Sequence, residues 1–233
     1  MFDLFGMLYA PGEFIRRCLK KPLAFKLPLV IVLVAAAAGL LSNLLAGEKW
    51  FARLMDQMPA NVPELESQLK SVKVGMVLQN VFGALEFPLM WVIGTGILNC
   101  VAILLEGEVD FRRLLQLTGF AHLAPACFGL VAILFAMTWK PQFTINAPDP
   151  RARPEVFSDA VNDAIRGEVH STNFRYLAFL KWAFLAWMGV MQVMAIKATS
   201  KLSWGKSVAC LASFGVLYGI SQLLRSLASA GGI

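Results

Sequence analysis

"MVLQNVFGALEFPLMWVIGTGILNCVAILL", residues 76–105, carries a single charged side chain, Glu86. A bilayer explains such a run, because about 20 residues at ~1.5 Å each cross a hydrocarbon core roughly 30 Å thick. Four more runs of the same kind lie along the chain, one before it and three after: Leu27–Ala46, Leu114–Trp139, Tyr176–Ile196 and Ser207–Leu224. Composition agrees. The chain is 58% hydrophobic and 15% charged, with a mean hydropathy of +0.63, whereas soluble domains run about 45–50% apolar and about 25% charged. The expected fold is all-α: a polytopic membrane bundle of five transmembrane helices, with a short N-terminal amphipathic interfacial helix and short helices in the two external loops. Residues 1–26 form the cytoplasmic interfacial segment, and residues 27–233 form one five-span membrane domain.

The net charge of +6 does not point to nucleic acid, since the cations gather at the ends of the apolar runs. Arg16, Arg17, Lys20, Lys21 and Lys26 precede the first run; Arg112 and Arg113 separate the second from the third; Lys197, Lys201 and Lys206 separate the fourth from the fifth. Short loops dense in Lys and Arg stay in the cytoplasm. This predicts an N-terminus inside and a C-terminus outside. Trp50, Trp139 and Trp182 then fall near the outer boundary and Trp204 near the inner one, as aromatic belts require. The first run reads as an uncleaved span, because it is long for a signal peptide and a cut after Ala46 would put Leu44 where a small residue is wanted. Cys18, Cys100, Cys127 and Cys210 are isolated from one another, so they read as small buried hydrophobes and support neither a zinc site nor a disulfide framework.

Ahead of the first span lies "PGEFIRRCLKKPLAF", residues 11–25. On a helix, Phe14, Ile15, Cys18 and Leu19 share one face, and Arg16, Arg17, Lys20 and Lys21 share the other. Pro22 ends the pattern. A basic amphipathic helix beside a span is expected to lie in the interface with those four cations on anionic headgroups; a solvated or protein-docking helix is the alternative. In the first external loop Leu65, Leu69, Val72 and Met76 follow helical spacing after Pro63. In the second, Phe157, Val161, Ala164 and Ile165 do the same. Ala35 with Gly39 and Gly215 with Gly219 are small-residue spacings that let helix backbones approach closely.

Glu86 is the charge that needs an explanation. An ionisable group at the bilayer centre costs about 2.5–3.5 kcal/mol on insertion scales and marks function by default. Counting back ~20 residues from Leu105 covers ~30 Å and ends near Glu86, which puts the carboxylate at the outer boundary. Pro88 suits a first helical turn there, leaving residues 76–85 as a hinged extension. Lys181, ~24 Å from the inner edge by the same count, has a comparable depth, so a Glu86–Lys181 ion pair is expected. His122 and Asn99 complete the candidate intramembrane polar site. Thr118, Asn99 or Gln192 could satisfy the imidazole of His122, which reads as a packing histidine with a proton relay as the sharper alternative.

No catalytic signature is present: no His-Glu-x-x-His, no Gly-x-Ser-x-Gly and no phosphate loop. With two histidines, a histidine-rich metal site is not expected, and no cofactor is implied. The stretch "EGEVDFRRLLQLTGFAHLAP", residues 106–125, resembles the Yip (Ypt-interacting protein) domain family of five-span membrane proteins. Gly107, Phe111, Arg112, Gly119, Phe120 and Pro125 match its polar turn and Gly-Tyr-x-x-x-x-Pro pattern, with Phe120 in place of tyrosine. The closing "FLAWMGVMQVMAIKATSKLSWGKSVACLASFGVLYGI" resembles the family's last hairpin. The long polar N-terminus and the Asp-Leu-x-Gly-Pro motif of eukaryotic members are missing, so their Rab-linked trafficking role does not carry over. The resemblance implies a bacterial-type member in the cytoplasmic (inner) membrane. The expected role is a non-enzymatic scaffold or organiser of a membrane complex, touching membrane lipids and a membrane-protein partner or a second copy of itself. The alternative is a small-solute or ion transporter or channel component, with a polar path near Glu86, Lys181 and His122.

Overall fold

The computed structural model describes residues 6–22, 24–57, 63–145, 154–169 and 171–216. Among them every regular element is helical: α1 (Gly6–Tyr9), α2 (Pro11–Lys20), α3 (Lys26–Asp56), α4 (Pro63–Leu104), α5 (Phe111–Ala121), α6 (Leu123–Thr138), α7 (Pro154–Val169) and α8 (Thr172–Ser200), then α9 over residues 204–216. Four stretches are long and apolar enough to cross a membrane: Lys26–Asp56, Leu69–Leu104, Phe111–Thr138 and Asn173–Ser200. They coincide with the first four expected spans. The expected fifth, residues 207–224, is helical from 207 to 216, and its remainder, with Gly219, lies outside the described residues.

Two helices depart from the expectation. The hinge at Pro88 does not form, since α4 runs unbroken from Pro63 to Leu104 with Pro88 inside it. Proline withholds one backbone donor, but nothing else between the loop stripe and the span ends the helix. In apolar surroundings every further unmade bond would cost several kcal/mol, so the rest of the ladder holds. The third span, by contrast, is two helices with a turn at His122. Asp110 caps α5, its carboxylate accepting from the Arg113 N–H at 3.1 Å. The His122 N–H returns to the Gly119 carbonyl at 3.2 Å, and α6 restarts with Pro125 in its first turn, where proline is harmless.

The chain forms two compact units. The first comprises Met1–Val34, Phe87–Ala124 and Leu185–Ile233. Its core joins Phe14, Ile15 and Cys18 of α2, Leu98 and Ala102 of α4, Leu114, Leu117 and Phe120 of α5, and Met191, Ala195 and Ile196 of α8. The second comprises Ala35–Glu86 and Pro125–Phe184. In it Gly129 of α6 lies against α3 so closely that a Cβ would stand 2.6 Å from the Ala38 Cβ. Ala38, inside the Ala35–Gly39 stretch, thus lets α6 approach closely, whereas nothing lies within 4 Å of a Cβ placed at Gly39. Trp50 stacks on Phe143 with ring centroids 4.6 Å apart. Beside it the Lys49 ammonium donates to the carbonyls of Met137 and Trp139 at 2.6 and 2.7 Å, a cation on the negative end of α6.

Candidate functional site

Three cations share one face of α2. Its sequence period splits the helix as expected, with Phe14, Ile15 and Cys18 buried and Arg16, Arg17 and Lys20 exposed. The apolar face, however, does not face lipid. It is docked on α5, where Phe14 meets Phe120 edge to face at 5.1 Å. A stripe of this kind seeks any apolar partner, and here α5 supplies it. Burying Phe14 and Ile15 is worth about 1.5–3 kcal/mol each relative to water.

Polar side chains of α5 complete the attachment. The Arg113 guanidinium donates to the Cys18 carbonyl at 3.4 Å and to Gln116 Oε1 at 3.4 Å, a cation on the C-terminal end of α2. Gln116, wholly buried, donates from Nε2 to the Ala24 carbonyl at 3.3 Å in the link to α3. Burial pushes the Cys18 thiol up to about 11, with Lys21 and Arg113 pulling weakly the other way. On the solvent side, Glu13, Arg16, Arg17 and Lys20 frame a shallow depression of about 200 Å³, and Arg17 bonds Glu13 at 3.2 Å. Arg16, Arg17 and Lys20 are thus brought together on one open face, with Lys21 half-buried at its edge.

Of the candidate intramembrane residues, the first unit holds His122 and Asn99. His122 Nδ1–H donates to the Thr118 carbonyl at 2.9 Å, and the ring is boxed by Phe87 at 5.3 Å and Trp91 at 6.5 Å. The Thr118 side chain engages the neighbouring helix instead: its hydroxyl accepts from Trp91 Nε1 at 3.2 Å and lies 2.8 Å from the Thr95 hydroxyl. This cluster of Trp91, Thr95, Thr118 and His122 is buried and fastens α5 to α4. Sequence reasoning missed Trp91 and Thr95, although their spacing of four, facing a Thr118–His122 pair of the same spacing, was a readable signal. Asn99, one turn beyond Thr95, buries its Oδ1 without a hydrogen-bond partner among the described residues.

Glu86 and Lys181 belong to the second unit, and both side chains are exposed. The expected ion pair between them is not formed among the described residues. Its premise was a helix starting at Pro88; in an unbroken α4 Glu86 is an interior position whose side chain faces outward.

The two stretches that carried the family resemblance meet at one end of the first unit. The Gly107 N–H reaches back to the Ala102 carbonyl and the Glu106 N–H to that of Ile103, both at 2.9 Å, which closes α4 in a Schellman motif. Glu106 takes the left-handed position, with φ 66°. A Cβ at Gly107 would stand 2.8 Å from the Ala102 carbonyl and 3.1 Å from Leu202, so glycine is required for the turns to touch. Lys206 pairs with Glu106 at 3.2 Å, Lys201 with Glu108, and the Asp110 N–H reaches the Thr199 carbonyl. The Lys201 ammonium holds the Glu108 carboxyl below its usual range and is itself held above its own. Among the described residues no group of three His, Cys, Asp or Glu is placed to hold a metal ion.

Comparison with curated proteins and with solved structures returns no match. The Yip1 domain matches residues 5–225, nearly the whole chain. That span takes in both resembling stretches and the docked α2, and the chain therefore belongs to the Yip1 domain family of membrane proteins.

Proposed function

We propose that this chain is a non-enzymatic scaffold or organiser of a membrane complex. The observation that carries the reading is the docked α2, which presents Arg16, Arg17 and Lys20 outward from a helix immobilised by α5. A fixed cationic face suits recognition better than turnover, because it offers charge at set spacing and no group aimed at a reacting atom. Its counterpart is an anionic surface: the headgroups of the membrane, with Lys21 contributing at the edge, together with an acidic segment of a membrane-protein partner or of a second copy.

In this reading five helices cross the cytoplasmic (inner) membrane, α9 beginning the fifth. The N-terminus and the two Lys/Arg-rich turns lie inside and the C-terminus outside. The first turns of α4 and the whole of α7 then stand on the outer side.

The test compares wild type with the triple reversal Arg16→Glu, Arg17→Glu, Lys20→Glu in native membranes. All three side chains are exposed, but they also belong to the cluster of cations that orients the first span, so an N-terminal reporter fusion checks that the reversal keeps the wild-type orientation. Cross-linking followed by purification should recover a defined set of co-assembled membrane proteins with the wild type and a depleted set with the reversal. An unaltered set, alongside solute flux or substrate turnover by the purified wild type alone in vesicles, would overturn the reading.

A further inference from the structure

Two helices of the first unit place the edge of the hydrocarbon at different heights. In α3 the edge falls at Lys26, which is exposed and opens the apolar helix. In α4 it falls at Leu104, because exposed apolar side chains, Val92, Ile93, Ile103 and Leu104, continue to that point, the last of them 81% exposed. One contact compares the two helices. A Cβ on Gly119 would lie 2.7 Å from Pro28 and 2.8 Å from Trp91, so the first turn of α3 is level with Trp91. From there α4 runs unbroken for thirteen more residues to Leu104, about 20 Å of helix. Tilt does not remove the step, since a lean of about 40° still leaves roughly 15 Å along the membrane normal.

α2 stands on the α3 side of this step. Its Cys18 carbonyl accepts from Arg113 in the first turn of α5, and its Phe14 ring meets Phe120 in the last. α5 runs back along α4 until Thr118 accepts from the Trp91 indole. Arg16 and Arg17, between Phe14 and Cys18 in the helix, are therefore about one turn from the height of Trp91 and on the order of 10 Å deeper than Leu104. The exposed positions of this face, Glu13, Arg16, Arg17 and Lys20, are all charged. On the α4 side, Val92 and Ile93 are exposed at the same height.

No flat slab satisfies both sides. Water at that height would strand the apolar side chains of α4. Hydrocarbon would strand the cations, which persist at such depths only through snorkelling, local thinning or water defects. Anionic headgroups are drawn toward them. We infer that the leaflet at this end of the first unit is thinned on one side: phospholipid phosphates and water follow Arg16, Arg17, Lys20 and Lys26 inward, while hydrocarbon still covers Ile93 and Ile103. Thinning requires that α3 and α4 cross a bilayer and does not depend on the scaffold role.

Spin labels read the step in phosphatidylglycerol–phosphatidylethanolamine vesicles. They are attached through Glu13→Cys, Ile93→Cys or Ile103→Cys in full-length chains that carry Cys100→Ser and Cys127→Ser, with Cys18 and Cys210 left buried. Collision rates are measured with a water-soluble nickel chelate and with oxygen. The label at residue 13 should meet nickel several-fold more often than the label at residue 93, and oxygen several-fold less often, although the two share a height. The label at residue 103 should behave like that at residue 93. Replacing Arg16, Arg17 and Lys20 together by leucine leaves the buried face of α2 intact and keeps Lys21 and Lys26. It should turn the label at residue 13 from nickel to oxygen. Nickel access at all three positions would mean that α4 leaves the membrane near Trp91, and oxygen access at all three that no headgroup follows the cations. A label at residue 13 still open to nickel in the leucine variant would take the cations out of the account. Each of these results overturns the thinning and leaves the scaffold reading, which needs only the exposed cationic face, to its own cross-linking test.

Discussion

Gly119 stands where α5 crosses α3 and α4, and replacing it with alanine tests whether that crossing is as tight as it looks. A Cβ there would lie 2.7 Å from the Pro28 Cβ and 2.8 Å from Trp91 Cζ2, against ordinary contacts that begin near 3.4 Å. Neither neighbour can swing away, because Pro28 is wholly buried and rigid and Trp91 is only 7% exposed. Overpacking of this kind costs about 1–3 kcal/mol. Movement of Trp91 would also strain its bond to Thr118, worth about 1 kcal/mol more, while alanine in place of glycine in a helix returns about 1 kcal/mol. The net expectation for Gly119→Ala is a loss of about 1–3 kcal/mol. At about 2–4 °C per kcal/mol for a chain of this size, the thermal midpoint of the purified protein in detergent should fall by roughly 2–12 °C. Gly96→Ala on α4 is the control: nothing lies within 4 Å of its Cβ, so its midpoint should hold or rise slightly. Adding Trp91→Phe, which deletes the atom that would clash, should make the double variant less destabilised than the sum of the singles. A Gly119→Ala midpoint equal to or above wild type would refute the reasoning.

Thr118→Val removes the hydroxyl that accepts from Trp91 and should cost about 1–3 kcal/mol by leaving the buried Trp91 Nε1–H unmet, while the Thr95 hydroxyl keeps the Trp91 carbonyl; a midpoint within a degree of wild type would count against the cluster. Glu106→Gly relieves a left-handed residue but gives up the Lys206 pair, so it should match or exceed wild type by up to about 1 kcal/mol, while Glu106→Ala falls below both; the reverse order would be fatal. With its thiol raised from 9.0 to about 11, Cys18 should present about a hundredfold less thiolate near neutral pH and react with N-ethylmaleimide only after unfolding in SDS; free-thiol rates in the folded protein would contradict its burial. Glu108 is depressed by Lys201, so its contribution to the turn is present above its ordinary value and fades as pH falls through the lowered one. Lys201→Met should return the Glu108 titration, followed by NMR of a labelled side chain, toward the usual carboxylate range, and an unchanged midpoint would remove the pair from the account.

Hydrophobic length made four candidate spans legible, because the run of apolar residues needed to span a bilayer is set by geometry alone. The period-3.6 stripe of α2 was equally legible. Its destination was not, since a stripe that faces lipid and one that faces Phe120 and Leu117 are written in the same residues. Pro88 misled for a related reason. Proline statistics favour helix starts, but the decision lies with the surroundings, where an unbroken backbone ladder outweighs one missing donor. Depth counting placed Glu86 and Lys181 at similar heights and said nothing of the directions in which their side chains leave the helices. The partners of His122, a backbone carbonyl and two aromatic rings, have no signature along the chain.

The docking of α2 also changes the kind of lipid contact open to it. A free amphipathic helix binds a bilayer through buried apolar area plus charge. Here Phe14, Ile15 and Cys18 are committed to the core shared with α5, and moving them into lipid would exchange one apolar surrounding for another, with no hydrophobic gain to set against the lost Phe14–Phe120 contact. What remains for an anionic surface is Arg16, Arg17 and Lys20, at about 1 kcal/mol per cation near charged headgroups. Such an attraction has a range of about 10 Å at 0.1 M salt and shrinks to about 3 Å at 1 M. The same three charges, held at fixed spacing by α5, would retain their selectivity for an acidic partner even where salt weakens their grip. Rigidity rather than insertion is therefore the property that α2 contributes to the first unit.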